Sequence, residues 1–274
     1  DPSLSHRTFL VLSMQKAATM PPPGAEPYCD GFSPSSTTYP TTLLRQTPPE
    51  DLPEGLTVLP DAISEDSALE AYNFTVGLPA GDQQWGAYMT LDGECPDTSE
   101  IRLKLKGAEP EVEAIAARLF QDFWRTSAKW LRGDLSRIHG VGVWAVVGGV
   151  GLETSYHVDY AEIYRRRTNC IVPPIHAATL QVAPVSPDTV EGGTFGAHRD
   201  GLEHYRKFGY KARRDVSHTG MAASGKPTSD WGLSDGWMYA PYKFRQATLS
   251  SGELPHACDR VIRWPEGMRR VVVG

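Results

Sequence analysis

Two short stretches carry the residue types from which a metal site is built. "ETSYHVDYAEIYRRRT" (153–168) holds His157 and Asp159 two apart, followed by Arg165, Arg166, Arg167 and Thr168. "GTFGAHRDG" (193–201) holds a second pair of the same form, His198 and Asp200. Residues two apart on a strand point to one face, so either imidazole–carboxylate pair converges on a point if that face lines an interior. A third donor must come from elsewhere. His256 in "GELPHACDR" (252–260) follows a Gly-Glu-Leu-Pro turn and precedes a strand, and it is the evident source. Two imidazoles and a carboxylate on one face of an octahedral ion leave three positions open. Taken alone, an HxD pair in a chain with eight histidines is more often a surface or structural feature, so order and context must select.

The elements that would position these residues fall in the second half of the chain. "GVGVWAVVGG", "TSYHVDYAE", "AATLQVAPV", "GGTFGAH", "KFRQATLSS" and "MRRVVVG" are short, rich in Val, Thr and aromatics, and bounded by turn residues. They predict an all-β barrel or double-sheet jelly roll, mainly β with flanking α and with helices on its N-terminal side. Before them, Val112, Ile115, Ala116, Leu119, Phe120, Phe123 and Trp124 recur at three- and four-residue spacing behind Glu109, Glu111 and Glu113. That spacing predicts an amphipathic helix over about 109–132 that buttresses a sheet. Half of the 22 prolines lie in residues 1–60, an arm that either wraps the core or forms a solvated leader. Residues 61–274 are expected to form one catalytic domain with its core over about 140–274. Within it, 200–243 breaks the strand rhythm with Gly, Ser and charge and reads as an insertion of the kind that forms lids.

Composition narrows the classes. At 274 residues and 40% hydrophobic content the chain can bury a full core. A net charge of −6 with scattered Lys and Arg gives no nucleic-acid footprint. No run approaches the roughly 18 apolar residues of a spanning helix, and no membrane partner is expected. Cys29, Cys95, Cys170 and Cys258 form no CxxC pair, which disfavours a zinc ribbon, and reduced thiols in the cytoplasm are the default expectation. There is no G-x-S-x-G elbow, so a serine hydrolase finds no support.

Taken in order, His157-Val-Asp159, "RRRT", "ATLQVAPV", "EGGTF", "LPHA" and "GMRRVVVG" resemble the Fe(II)/2-oxoglutarate-dependent dioxygenases, in the prolyl-hydroxylase-like arrangement of the double-stranded β-helix. The resemblance covers about 140–274. It implies iron ligation by His157, Asp159 and His256, because the Gly-Gly element at 192 and 193 follows the first HxD pair and precedes the second. His198 then becomes a solvated loop histidine, or a group near the pocket, and His176 in "VPPIHAA" a loop histidine. Family spacing puts the cation for the distal carboxylate of 2-oxoglutarate at Arg269, with Arg270 on the opposite face. The parity shared with Val271 and Val273 also favours Arg269 as the inward residue. Thr179 and Gln181 are candidates for hydrogen bonds to the cosubstrate, and Thr168 is another. One of Arg165, Arg166 and Arg167 is a candidate for a substrate carboxylate, although such a run more often forms a solvated strand edge. Tyr156 and Tyr160, of opposite parity to the ligands, are expected to pack within the sheet.

The activity so implied consumes O2 and 2-oxoglutarate, releases succinate and carbon dioxide, and oxidises a C–H bond by hydroxylation, desaturation or ring closure. With no extended charged patch to hold a polymer, the expected substrate is a small molecule such as an amino acid or secondary metabolite. The alternatives are a prolyl-hydroxylase-like enzyme acting on a peptide or protein side chain, and a cupin-type metal-binding protein without oxygenase activity. A cupin would normally show His-x-His where this chain has "HVD". Oligomeric state is not legible in the sequence.

Overall fold

The computed structural model describes residues 26–29, 42–79, 83–91, 103–106, 109–160, 170–206 and 236–274. Its largest element is a seven-stranded sheet. In sheet order the strands are β3 (Thr57–Leu59), β12 (Ala247–Ser251), β9 (His176–Gln181), β14 (Arg270–Val273), β6 (Gly140–Gly148), β4 (Gly86–Leu91) and β5 (Leu103–Lys106). A four-stranded sheet runs β11 (Trp237–Ala240), β10 (Phe195–His198), β13 (His256–Cys258), β7 (Thr154–His157). Every pairing within these two sheets is antiparallel. The third sheet is small: β1 (Glu26–Cys29), β2 (Thr42–Arg45) and β8 (Cys170–Ile171).

The described residues also include three α-helices, α1 (Glu65–Gly77), α2 (Pro110–Leu131) and a single turn, α3 (Gly201–His204), and two short 3-10 helices, Arg132–Arg137 and Pro187–Thr189. The expected helix over 109–132 corresponds to α2, which starts on Pro110 with Glu111 and Glu113 in its first turn, where the helix dipole favours acids. α1 was not anticipated, although its signals are local. Ser64 caps it by accepting from Ser67 N at 3.2 Å, Glu65 and Asp66 follow, and Ala68, Ala71, Tyr72 and Thr75 bury one face. A chain weak in large aliphatic residues hides that periodicity.

Both long helices cover one face of the seven-stranded sheet. Ile115, Leu119, Phe123 and Trp124 of α2 share a buried cluster with Val143 and Ala145 of β6, Leu249 of β12, and Val271 and Val273 of β14. Each such side chain, fully buried, contributes about 1.5–3 kcal/mol. The opposite face of these strands carries Trp144, Val146, Thr179, Thr248, Arg270 and Val272, which line a cleft together with Thr154, His157, Phe195, His256 and Cys258 from the four-stranded sheet. The architecture is therefore mainly β with few helices, two sheets facing each other as in a β-sandwich. The far side of the four-stranded sheet is closed by Leu43 of β2 and Ile171 of β8, which pack with Tyr156, Val158, Tyr205 and Trp237. Residues 42–59 thus enter the sheets through β2 and β3. Inside the segment expected as an insertion, α3 and β11 are ordered elements, and 207–235 lies outside the described residues.

Candidate active site

β7 and β13 are neighbours, and their register sets His157 directly opposite His256. A shift in register between His256 and Cys258 re-aims the end of β13, as bulges do. The two imidazole rings lie 4.4 Å apart between centroids. Asp159 follows β7 after Val158, outside the strand proper, and its carboxylate turns to the same point. Oδ1 is 3.5 Å from His157 Nε2, and Oδ2 is 3.7 Å from His256 Nε2. One donor atom from each of the three residues lies within 4.8 Å of the others. Val158, of opposite parity, is buried on the far side with Tyr156, and Tyr160 packs against the same cluster, as expected.

The protonation states suit a cation. His256 Nδ1 lies 3.1 Å from the Leu254 carbonyl oxygen, to which it donates, so the neutral ring keeps its lone pair on Nε2, beside Asp159. Burial, reinforced by nearby His157, holds the His256 pKa below its usual value. Burial pushes the Asp159 carboxyl up, but His256 and His157 together outweigh it and leave the carboxyl below its ordinary range. Three donors converging on one point of the cleft could hold a cation, and a 2-His-1-carboxylate set with open positions suits non-haem iron(II).

The cleft holds one further buried charge. Arg270 is 1% exposed, and no acidic side chain pairs with it among the described residues. Its Nη2 donates to the Gly193 carbonyl oxygen at 2.9 Å and lies 3.9 Å from Cys258 Sγ, while Nε has no hydrogen-bond partner. Arg269 is exposed, and its backbone N–H donates to Tyr72 Oη at 3.3 Å. The expected orientation is thus reversed. Arg269 does share parity with Val271 and Val273, but that side of β14 packs under the helices, and the cleft takes Arg270 and Val272. Both faces of the strand are buried, so apolar parity could not tell helix side from cleft side.

Thr179 lines the cleft, and its hydroxyl hydrogen-bonds that of Thr248. Gln181 is buried opposite Val272, with Oε1 lacking a partner, but it does not line the cleft. Arg165, Arg166, Arg167 and Thr168 lie outside the described residues. His198 is not a solvated loop residue. At 2% exposed, it stacks on His204 with ring centroids 3.5 Å apart and meets Trp237 edge-on. Its strand parity is opposite to that of Phe195, so it faces away from the cleft. Asp200, its HxD partner, is exposed. His176 opens β9 instead of lying in a loop, and its Nε2 is 2.8 Å from Oδ2 of fully buried Asp134. Thr154, Thr248, Ser250 and Cys258 line the cleft unanticipated. The alternation in "ATLSS" carried the signal for two of them.

No protein-family model and no curated protein matches the chain. Among solved structures it is similar to an oxidoreductase of the 2OG-Fe(II) oxygenase family from Burkholderia pseudomallei, at 15% identity and a TM-score of 0.41, over 80% of this chain and 83% of that one. It is also similar to a prolyl hydroxylase from Trichoplax adhaerens in complex with a hypoxia inducible factor peptide fragment, at 12% identity and 0.40, over 80% and 82%. A third is HygX from Streptomyces hygroscopicus with iron bound, at 14% and 0.41, over 80% of each chain.

Proposed function

We propose that this chain is a non-haem iron(II) enzyme that couples decarboxylation of 2-oxoglutarate to oxidation of an unactivated C–H bond of a small molecule. The observation that carries the proposal is one cleft holding both a converging His-Asp-His donor set and a buried arginine without a carboxylate partner. The strand orders support a double-stranded β-helix: β6, β9, β12 and β14 lie in the seven-stranded sheet and β7, β10, β11 and β13 in the four-stranded one, so that from β6 to β14, β8 aside, the chain changes sheet at every step except between the paired β10 and β11, and all pairings are antiparallel. Residues 61–274 would then be the catalytic domain, with the segment before them contributing strands to its edges.

In this proposal His157, Asp159 and His256 hold iron(II). When bound, the metal supplies the one-electron chemistry with O2 that joins formation of succinate and carbon dioxide to substrate oxidation. The Leu254 carbonyl fixes the His256 tautomer, and the His157–His256 pairing across two strands fixes the angle between the rings. Arg270 takes the distal carboxylate of 2-oxoglutarate in a fork-like contact. Thr179 and Thr248 offer hydroxyls on the same wall. Trp144, Val146, Leu152 and Phe195 make other parts of the wall apolar and keep bulk water from the reacting centre. No helix among the described residues is long and apolar enough to cross a membrane. A cytoplasmic enzyme fits the unpaired thiol of buried Cys258.

The test is anaerobic addition of iron(II) and 2-oxoglutarate, observation of a weak visible charge-transfer band, then admission of O2 and quantification of succinate. His157→Ala and His256→Ala should abolish both signals. Absence of band and succinate with the wild type, or a band untouched by these substitutions, refutes the proposal. Turnover with peptides but with no small molecule would move the enzyme to the peptide-hydroxylating alternative.

A further inference from the structure

Gly192 and Gly193 lead into β10 with φ of 75° and 70°, and the two positions disfavour a side chain for different reasons. A Cβ on Gly192 would stand 2.1 Å from the Arg260 carbonyl oxygen, a backbone collision. A Cβ on Gly193 would instead meet the Arg270 side chain, 3.0 Å from Nη1 and 3.2 Å from Cζ, with Val261 Cγ2 also at 3.2 Å. The carbonyl oxygen of the same Gly193 accepts from Arg270 Nη2 at 2.9 Å. The guanidinium therefore lies against a bare Cα and is tethered by the adjoining carbonyl. A guanidinium is a planar fork, and its rotation decides which N–H groups a carboxylate meets.

We propose that Gly193 is a positioning residue for dicarboxylate recognition, its missing side chain and its carbonyl together setting the plane of the Arg270 fork in the cleft. This rests on Arg270 being the carboxylate anchor assigned under the proposed function, but it does not require oxygenase chemistry. With a methyl group at 193, the fork has to tilt or withdraw, and the Nη2 tether is strained with it.

The experiment uses the full chain and glutarate, which has the two carboxylates of 2-oxoglutarate without the keto group and so probes the Arg270 end without metal. Glutarate should raise the melting temperature of the wild type and of Arg269→Met, and fail to raise that of Arg270→Met. Gly193→Ala should weaken glutarate binding by about tenfold or more, as expected when a charge-assisted hydrogen bond loses its geometry. In turnover, KM for 2-oxoglutarate should rise with kcat and iron(II) affinity unchanged.

Stability separates positioning from backbone strain. The melting-temperature loss caused by Gly193→Ala should be smaller in the Arg270→Met background than in the wild type, because the contact at issue is gone. If Gly193→Ala alone does not fold but the double variant does, the same coupling is demonstrated. Equal losses in both backgrounds, failure of both variants to fold, or no glutarate stabilisation of the wild type overturns the inference. A wild type that binds glutarate but makes no succinate sinks the oxygenase proposal and leaves this inference standing.

Discussion

Adjacent arginines on one strand divide two environments. Arg270 is buried in the cleft, and Arg269 sits in solvent on the other side. A buried cation without a carboxylate is an unfavourable element of a ligand-free protein, because desolvation is not repaid by a counter-charge. Arg270→Met keeps most of the stem and removes the charge. It is expected to leave the ligand-free melting temperature undiminished while raising KM for 2-oxoglutarate roughly 10- to 100-fold, the loss of one hydrogen-bonded charge contact. Arg269→Met should change neither. Calorimetry and succinate kinetics on the two variants check this, and equal behaviour would contradict the assignment. The His157–Asp159 spacing and the turn before His256 were legible because each is local, whereas the exclusion of His198 and Asp200 rested on chain order, the Gly-Gly element following one pair and preceding the other. Both HxD pairs alternate in the same way, and the side of the sheet that each faces supplies the physical reason for that exclusion.

At the scale of elements, a carboxylate of α2 holds the cap of α1, beside the exposed Arg118–Glu70 ion pair between the two helices. Asp122 Oδ2 accepts from the Ser64 N–H and from the Ser64 hydroxyl, both at 2.6 Å, so a residue midway along α2 fixes the capping residue of α1. Asp122→Ala leaves those donors without their acceptor and should destabilise the fold by about 1–3 kcal/mol, measured by urea unfolding. Burial raises the Asp122 carboxyl, yet the hydrogen bonds from Ser64, joined by Ser67 and Arg125, prevail, and the folded value lies below the ordinary one. For a depressed carboxylate, the stabilisation is fully present above the unfolded value near 4 and is lost as pH falls through the folded value. The stability gap between wild type and Asp122→Asn should therefore be constant at neutral pH and shrink on acidification below about pH 4. A gap that widened in acid would contradict the latch. α2 was legible because large apolar residues mark its buried stripe, whereas α1 buries mainly Ala, Tyr and Thr.

Across the whole molecule, the donors are assembled by tertiary pairing and cannot converge in an unfolded chain. Asp159 and His157 come from β7 and the residues after it, and His256 comes from β13. A divalent ion that binds only the folded chain should stabilise it, by about 2.7 kcal/mol at a hundredfold excess over Kd. Manganese(II) or anaerobic iron(II) should raise the melting temperature of the wild type in a concentration-dependent way. His256→Ala should lose most of that shift. A shift undiminished by His256→Ala would mean that the ion binds elsewhere.

The chain's own order of residues determined the ligand types, the amphipathic α2 and the strand-rich second half, since these depend on neighbours within a few positions. It also determined that one of two adjacent arginines would be internal. Tertiary structure alone decided that the internal one is Arg270, that His198 stacks on His204 behind the sheet, and that Gly193 lies against a guanidinium 77 residues further on. The physical reason is shared by all three: a strand has two faces of equal local character, and only what packs on each distinguishes them, α1 and α2 behind the seven-stranded sheet, β2 and β8 behind the four-stranded one, and the cleft between.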